Sequence, residues 1–179
     1  MTSDFSIVIP AKNEGENLEK LLPKLRTIYP DIQIIIVDDG STDNTKKVAI
    51  RYTSNVITHP YSMGNGAAIK SGARASTTKY IIFMDADGQH DPIYIQELID
   101  KINTGYDMVV GARTLKSQAN IFRSIGNRTY NYIATKVTGH KIEDLTSGFR
   151  VVHKDLFNRF LYLLPNGFSY PTTITMAFF

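Results

Sequence analysis

The stretch Tyr80-Ile81-Ile82-Phe83-Met84-Asp85-Ala86-Asp87-Gly88-Gln89 joins an apolar run directly to two carboxylates one residue apart. The run has the length and composition of a buried strand, and the acids that end it fall in a turn marked by Gly88. Two acids with no base beside them in sequence are costly together unless a cation neutralises them. Their oxygens suit a hard ion such as Mg²⁺ or Mn²⁺, which takes one or two protein carboxylates and completes its shell with substrate phosphates. Gln89 adds a carbonyl oxygen within reach of the same turn.

Working outward, the same construction recurs upstream. Phe5 to Ile9 reads as a buried strand ended by Pro10 and followed by Ala11-Lys12-Asn13-Glu14. Ile32 to Val37 reads as a second strand, ending on Asp38-Asp39-Gly40-Ser41. Asn55 to Thr58, Tyr80 to Met84 and Asp107 to Gly111 supply three more. Between them lie helical patterns. Leu18, Leu21, Leu22, Leu25 and Ile28 share a helical face with Pro23 as a kink or break, and a second helix is expected from Asp43 to Tyr52. Gly64-Asn65-Gly66 leads into a helix bearing Ala67, Ala68, Ile69, Ala73 and Ala75. Asp91 and Pro92 read as N-cap and first helical residue before Ile95, Leu98, Ile99 and Ile102.

Apolar strands alternating with helices predict an α/β fold: a Rossmann-like, mostly parallel mixed sheet with helices on both faces. Ligands of such sheets bind at the carboxyl ends of the strands. The turns carrying Glu14, Asp38-Asp39 and Asp85-Asp87 should therefore converge on one edge. After Gly111 the pattern is less regular. A helix is expected from Asn120 to Val137, packed on the sheet or lying at a membrane interface, then a turn at Gly139-His140, then Asp144 and Thr146-Ser147-Gly148-Phe149-Arg150.

The length of 179 residues suits one domain, and 42% hydrophobic with 21% charged residues excludes a disordered chain. With no cysteine, disulfide frameworks and thiolate metal sites are excluded, which fits a reducing cytosolic compartment. No basic leader or cleavage site precedes Phe5, and no apolar run approaches the roughly 18 residues of a membrane span. The net charge of +3 is unevenly spread: Arg113 to Phe160 holds nine Lys and Arg against three acids. That basic half fits an anionic partner, a phosphate or an anionic membrane surface, and fits equally a solvated basic face.

Other owners of these patterns are excluded by position. A calcium loop starting at Asp85 needs Gly and Glu where His90 and Gln96 stand. A dehalogenase-type phosphatase carries its Asp-X-Asp on the first strand, not the fourth. Gly64-Asn65-Gly66 lacks the third glycine of a dinucleotide fingerprint, and no Gly-Lys-Ser/Thr marks a phosphate loop. No nucleic-acid-binding motif is present. Asp38-Asp39 could grip a base or ribose, or serve as turn and helix cap. Asn13 and Glu14 could likewise simply open the first helix. His59, His90, His140 and His153 show no ligand spacing and read as surface or packing residues.

Six motifs in order carry a resemblance: Ile9-Pro10-Ala11-Lys12-Asn13-Glu14, Val37-Asp38-Asp39-Gly40-Ser41, Asn65-Gly66-Ala67-Ala68, Asp85-Ala86-Asp87-Gly88-Gln89-His90, Gly111-Ala112-Arg113 and Asp144-Leu145-Thr146-Ser147-Gly148-Phe149-Arg150. Together they resemble family 2 glycosyltransferases, and within them the polyprenyl-phosphate (dolichyl-phosphate) mannose or glucose synthases. The resemblance implies a GT-A fold over residues 1–179, with nucleotide sugar and metal on 5–112 and the acceptor side on 113–179. It also implies a chain truncated at its C-terminus, since such domains continue with a further strand and basic residues. The implied reaction is an inverting transfer from a GDP- or UDP-sugar to a polyprenyl phosphate at the cytoplasmic face of a membrane.

By the same likeness Pro10, Ala11, Asn13, Glu14, Asp38, Asp39, Gly66 and Asp85 would contact the nucleotide sugar. Asp85, Asp87 and Gln89 would hold Mg²⁺ or Mn²⁺. Arg113, Arg123 and Arg150 would meet the acceptor phosphate or the diphosphate, and Asp87, Asp144 and Arg113 would form the catalytic set. Asp144 could act as a base or orienting group, or could cap a turn or pair with Arg150. The motifs also suit a transferase acting on a sugar hydroxyl, which needs a base, and a catalytically silent nucleotide-sugar-binding module.

Overall fold

Alternation along each strand decides which side chains meet which helices. The computed structural model describes residues 2–112, 135–136, 139, 141–142 and 144–179. Arg113, Arg123 and most of the helix expected from Asn120 to Val137 lie outside them. The strands are β1 (Phe5–Ala11), β2 (Gln33–Asp38), β3 (Asn55–Thr58), β4 (Tyr80–Phe83), β5 (Met108–Val110) and β6 (Arg150–His153). They form one sheet in the order β3-β2-β1-β4-β6-β5. The first four run parallel, while β6 is antiparallel to both β4 and β5. This is the mixed, mostly parallel sheet that the sequence predicts.

The helices are α1 (Gly15–Ile28), α2 (Thr45–Ala49), α3 (Asn65–Ala75), α4 (Ile95–Ile102), α5 (Lys154–Arg159) and α6 (Tyr170–Ala177). Ile7, Ile9, Ile34, Ile36, Ile82 and Val151 form one apolar layer with Leu18, Leu22 and Leu25 of α1 and Ile95 and Ile99 of α4. Their sequence neighbours Val8, Ile35, Val37, Ile81, Phe83 and Val152 form the other, with Ala68, Ile69 and Ala73 of α3, Phe157 of α5 and Ile174 of α6. The period of two thus covers both faces of the sheet with helices. The small residues of α3 let it lie close: a Cβ added to Gly72 would meet Val8 Cγ1 at 2.3 Å.

Local readings are corrected where tertiary contacts override them. Pro10 does not end β1 but lies inside it, paired with Val37 of β2. The β4 ladder reaches only Val8, whose carbonyl accepts from Met84 N. Pro10, two residues on, directs its missing donor to the side β4 has left, so no ladder bond is lost. Pro23 does not break α1. Its lost hydrogen bond costs about 3 kcal/mol, but Leu18, Leu21, Leu22 and Leu25 are all buried and each contributes roughly 1.5–3 kcal/mol.

The helix expected from Asp43 to Tyr52 keeps only five helical residues, then tightens into turns in which Arg51 N and Tyr52 N donate three residues back. Asp91 caps as expected, its Oδ1 accepting from Ile93 N at 3.2 Å, but Pro92–Tyr94 is a 3-10 turn and the α-helix begins at Ile95. β6 was not expected as a strand; pairing on both sides makes it one.

Candidate active site

The turns after β1, β2 and β4 meet the residues 146–148 and the start of α6 around a cleft of about 440 Å³. Pro10 and Ala11 come from the end of β1, Lys12 and Glu14 from the turn after it, Asp39 from the turn after β2, and Asp85, Ala86 and Asp87 from the turn after β4. Ser62, Gly64 and Asn65 close one side, and Thr146, Gly148, Phe168, Tyr170 and Pro171 the other. Among these lining residues the carboxylates of Glu14, Asp39, Asp85 and Asp87 face one amine, that of Lys12. The cleft's lining among the described residues is acidic.

Asp39 organises the rim. Its Oδ1 lies 2.7 Å from His59 Nδ1 and accepts from Met63 N at 2.8 Å, while Oδ2 accepts from Ser62 Oγ and Gly64 N, each at 2.9 Å. Burial alone would raise its pKa, but these donors, His59 foremost, more than offset it and hold the carboxyl below the usual range. Against an ionised Asp39, His59 Nδ1 must donate. Its Nε2 sits 2.9 Å from Ser71 Oγ of α3, so the buried His59 ties the rim to that helix. His59 is thus a packing residue with a specific duty, one a lone histidine does not announce in sequence. Asp38 is buried, does not line the cleft, and accepts from Ser41 N at 3.0 Å, which is the turn-and-cap reading.

The start of α1 is clasped by the following loop. Asn13 N donates to Ser41 Oγ at 2.9 Å, Glu14 N to Thr45 Oγ1 at 2.8 Å and Gly15 N to Asp43 Oδ2 at 3.1 Å. Asn13 returns the contact, its Oδ1 accepting from Thr42 N at 2.8 Å, and does so from a left-handed backbone with φ 55°. The amides that open α1 are therefore capped by protein side chains. Asn13 does not line the cleft. Gly66 does not line it either; its role is close packing, since a Cβ there would meet Pro165 O at 2.1 Å.

Asp85 and Asp87 do face the cleft. Asp85 is half-buried against the backbone of Gly148, where an added Cβ would lie 2.5 Å from Asp85 Oδ2. Asp87 is exposed and its Oδ1 accepts from Gln89 N at 3.0 Å. Gln89 is exposed and does not line the cleft, and His90 stacks on Phe149 with ring centroids 4.7 Å apart. No group of three His, Asp or Glu suited to a metal occurs among the described residues. A bound ion would thus take two protein carboxylates and complete its shell from substrate and water.

On the opposite wall, Asp144 is buried, does not line the cleft, and caps a turn through Thr146 N at 3.1 Å and Thr146 Oγ1 at 3.2 Å. Arg150 also lies behind the wall rather than at the surface. It is fully buried, and its guanidinium donates to Ser147 O, Pro171 O and Thr175 Oγ1, joining β6 to α6. Direct contact with a phosphate, expected from the motif, is not available to it in this arrangement. The lining residues Ser62, Phe168, Tyr170 and Pro171 were not singled out by sequence, because only the fold brings them to the cleft; Lys12 stood in a quoted motif but was given no role there.

Known proteins resemble this arrangement. A family model, Glycosyl transferase family 2, matches residues 6–161. An uncharacterized glycosyltransferase of Synechocystis is 32% identical over 88% of this chain and 52% of its own. The undecaprenyl-phosphate 4-deoxy-4-formamido-L-arabinose transferase of Photorhabdus laumondii is 30% identical over 87% of this chain and 51% of its own. The chain thus spans about half the length of these curated relatives. The crystal structure of glucosyl-3-phosphoglycerate synthase from Mycobacterium tuberculosis, in complex with Mn²⁺, UDP-glucose and phosphoglyceric acid, superposes with a TM-score of 0.75. It covers 95% of this chain and 63% of that one at 20% identity, a likeness of fold.

Proposed function

This chain belongs to glycosyl transferase family 2, and we propose that it transfers a sugar, with inversion, from a GDP- or UDP-sugar to the phosphate of a polyprenyl carrier, using Mg²⁺ or Mn²⁺. The observation that carries this reading is the charge of the cleft. Among the described lining residues, four carboxylates against one amine repel a diphosphate unless a divalent cation intervenes. Asp85 and Asp87 are the residues that would hold it: both offer hard oxygen donors, and the bare backbone of Gly148 leaves room for Asp85. When bound, the metal supplies Lewis-acid stabilisation of the leaving diphosphate.

The remaining residues bind and orient. Pro10, Ala11 and Glu14 form the floor against the nucleotide, and Asp39 shapes the loop carrying Ser62 and Gly64 beside it. Lys12, held 3.0 Å from Ser62 Oγ, adds a cation for an anionic guest. A phosphate monoester acceptor is already anionic near neutral pH, its second pKa being about 6, so it needs orientation more than a base. An Asp144 engaged in capping the Thr146 turn accords with that. Arg113 and Arg123 are the arginines proposed to orient the acceptor. The relatives that act on undecaprenyl phosphate support the lipid carrier as acceptor, and the Mn²⁺ and UDP-glucose of the structural neighbour support the donor class. No helix among the described residues is long and apolar enough to cross a membrane, and the proposed approach to the carrier is peripheral, from the cytoplasmic face.

The test is transfer of radiolabelled sugar from GDP-mannose, UDP-glucose or UDP-N-acetylglucosamine to a short polyprenyl phosphate with Mg²⁺ or Mn²⁺. Labelled lipid from at least one donor, abolished by chelation, is the expected result. Nucleotide binding without transfer to the lipid phosphate from any donor would overturn it.

A further inference from the structure

Three buried side-chain atoms among the described residues have no hydrogen-bond partner: His153 Nδ1, Asn158 Oδ1 and Tyr170 Oη. Of these residues only Tyr170 lines the cleft. Its ring is completely buried in the apolar layer with Phe83, Phe157 and Ile174, packing that a phenylalanine would supply as well. A buried hydroxyl without a partner is destabilising and calls for an explanation beyond packing.

The surroundings state what would satisfy it. Burial holds the phenol well above its ordinary pKa, with Arg150 acting in the opposite sense and the charge of Asp85 adding to the rise, so the proton stays on Oη at neutral pH and the group is a donor. The Arg150 guanidinium donates to Ser147 O, Pro171 O and Thr175 Oγ1 behind this wall, and its charge faces the carboxylates of Asp144 and Asp85. Tyr170 also opens α6, an eight-residue helix whose first turn reaches the cleft through Pro171. A helix start beside a hydroxyl donor, on a wall whose Asp85 charge a divalent cation would neutralise, favours a phosphate oxygen as the partner.

We propose that the Tyr170 hydroxyl is a specificity-determining donor to a phosphate oxygen in the cleft. The oxygen belongs to the nucleotide diphosphate or to the acceptor phosphate. The proposal rests on the transferase reading above and adds to it a residue outside the motifs of the family resemblance.

The experiment uses the 179-residue chain and Tyr170→Phe. Thermal unfolding is recorded without ligand, and dissociation constants are measured for UDP and GDP with Mn²⁺ and, separately, for a short polyprenyl phosphate. The expected variant melts at or above the wild-type temperature without ligand, because no bond is lost. Its affinity falls about tenfold to a hundredfold for one of the two phosphate ligands, the loss of a hydrogen bond to a charged group. Whichever ligand loses affinity identifies the source of the oxygen. A melting point lowered by several degrees without ligand would place the hydroxyl in a bond of the free protein and overturn the proposal. Unchanged affinities, in a chain whose wild type binds, overturn the proposal alone. A wild type that binds neither ligand overturns the transferase reading and the proposal with it.

Discussion

Asp38-Asp39 and Asp85-Ala86-Asp87 both follow a buried parallel strand, and both end on a glycine. Their oxygens meet different surroundings. Asp39 is nearly enclosed, with donors from His59, Ser62, Met63 and Gly64 about its carboxylate, and Asp38 is turned inward to Ser41 N. Asp87 lies exposed with a bond from Gln89 N, and Asp85 stands half-buried on the cleft against a residue that has no side chain. The first pair shapes a wall; the second faces the cleft. The loop Tyr61–Gly64 supplies backbone and side-chain donors to the first turn, whereas the second turn lies on the cleft.

The contrast breaks most visibly at Asp85. Asp85→Ala should lower metal-dependent turnover by at least about a hundredfold and remove the Mn²⁺-dependent thermal stabilisation by nucleotide. A variant that keeps its Mn²⁺ response would show that the metal reading of this turn is wrong.

Asp39→Ala should behave in the opposite way, costing about 2–4 kcal/mol of stability in urea unfolding, since it strands several buried donors at once. If the variant is as stable as the wild type, Asp39 does not hold the rim. Gly148→Ala probes the second turn more gently. The added Cβ displaces the Asp85 carboxylate, and Mn²⁺-dependent nucleotide affinity should fall about tenfold, as calorimetry would reveal.

The smallest effect is in pH. The fold favours ionised Asp39, whose pKa lies below its ordinary value. Its contribution is complete above the unfolded carboxylate value of about 3.9 and is lost as pH falls through the lower folded value. The stability gap between wild type and Asp39→Ala should therefore be level from about pH 7 to 5 and narrow below about pH 4. A gap that widens towards acid would contradict the direction of the shift.

Much of the amino-terminal half was legible because its signals are local. β2, β3, α3 and β4 fall within a residue or so of the expected bounds, since apolar runs and small-residue helices declare themselves over ten residues or fewer. The convergence of the three turns followed from the parallel direction of the strands they end. What escaped was set by distant partners. β6 is four residues long and is a strand because β4 and β5 flank it. Arg150 carried the right charge but the wrong address, since burial and bonds to α6 put it behind the wall, and Asp144 takes the turn-capping alternative through Thr146. His59 gave no local sign, because its partners Asp39 and Ser71 come from β2's turn and from α3. Tyr170 gave none because nothing near it in sequence refers to the cleft.

The clasp between residues 13–15 and the side chains of Ser41, Asp43 and Thr45 has a consequence for how the molecule opens. Neither of the first two strand–helix units can come away while the other stays intact, because the opening amides of α1 would lose their acceptors as soon as the neighbouring loop departed. The two units therefore belong to one cooperative block, and the floor of the cleft stays closed until that block as a whole gives way.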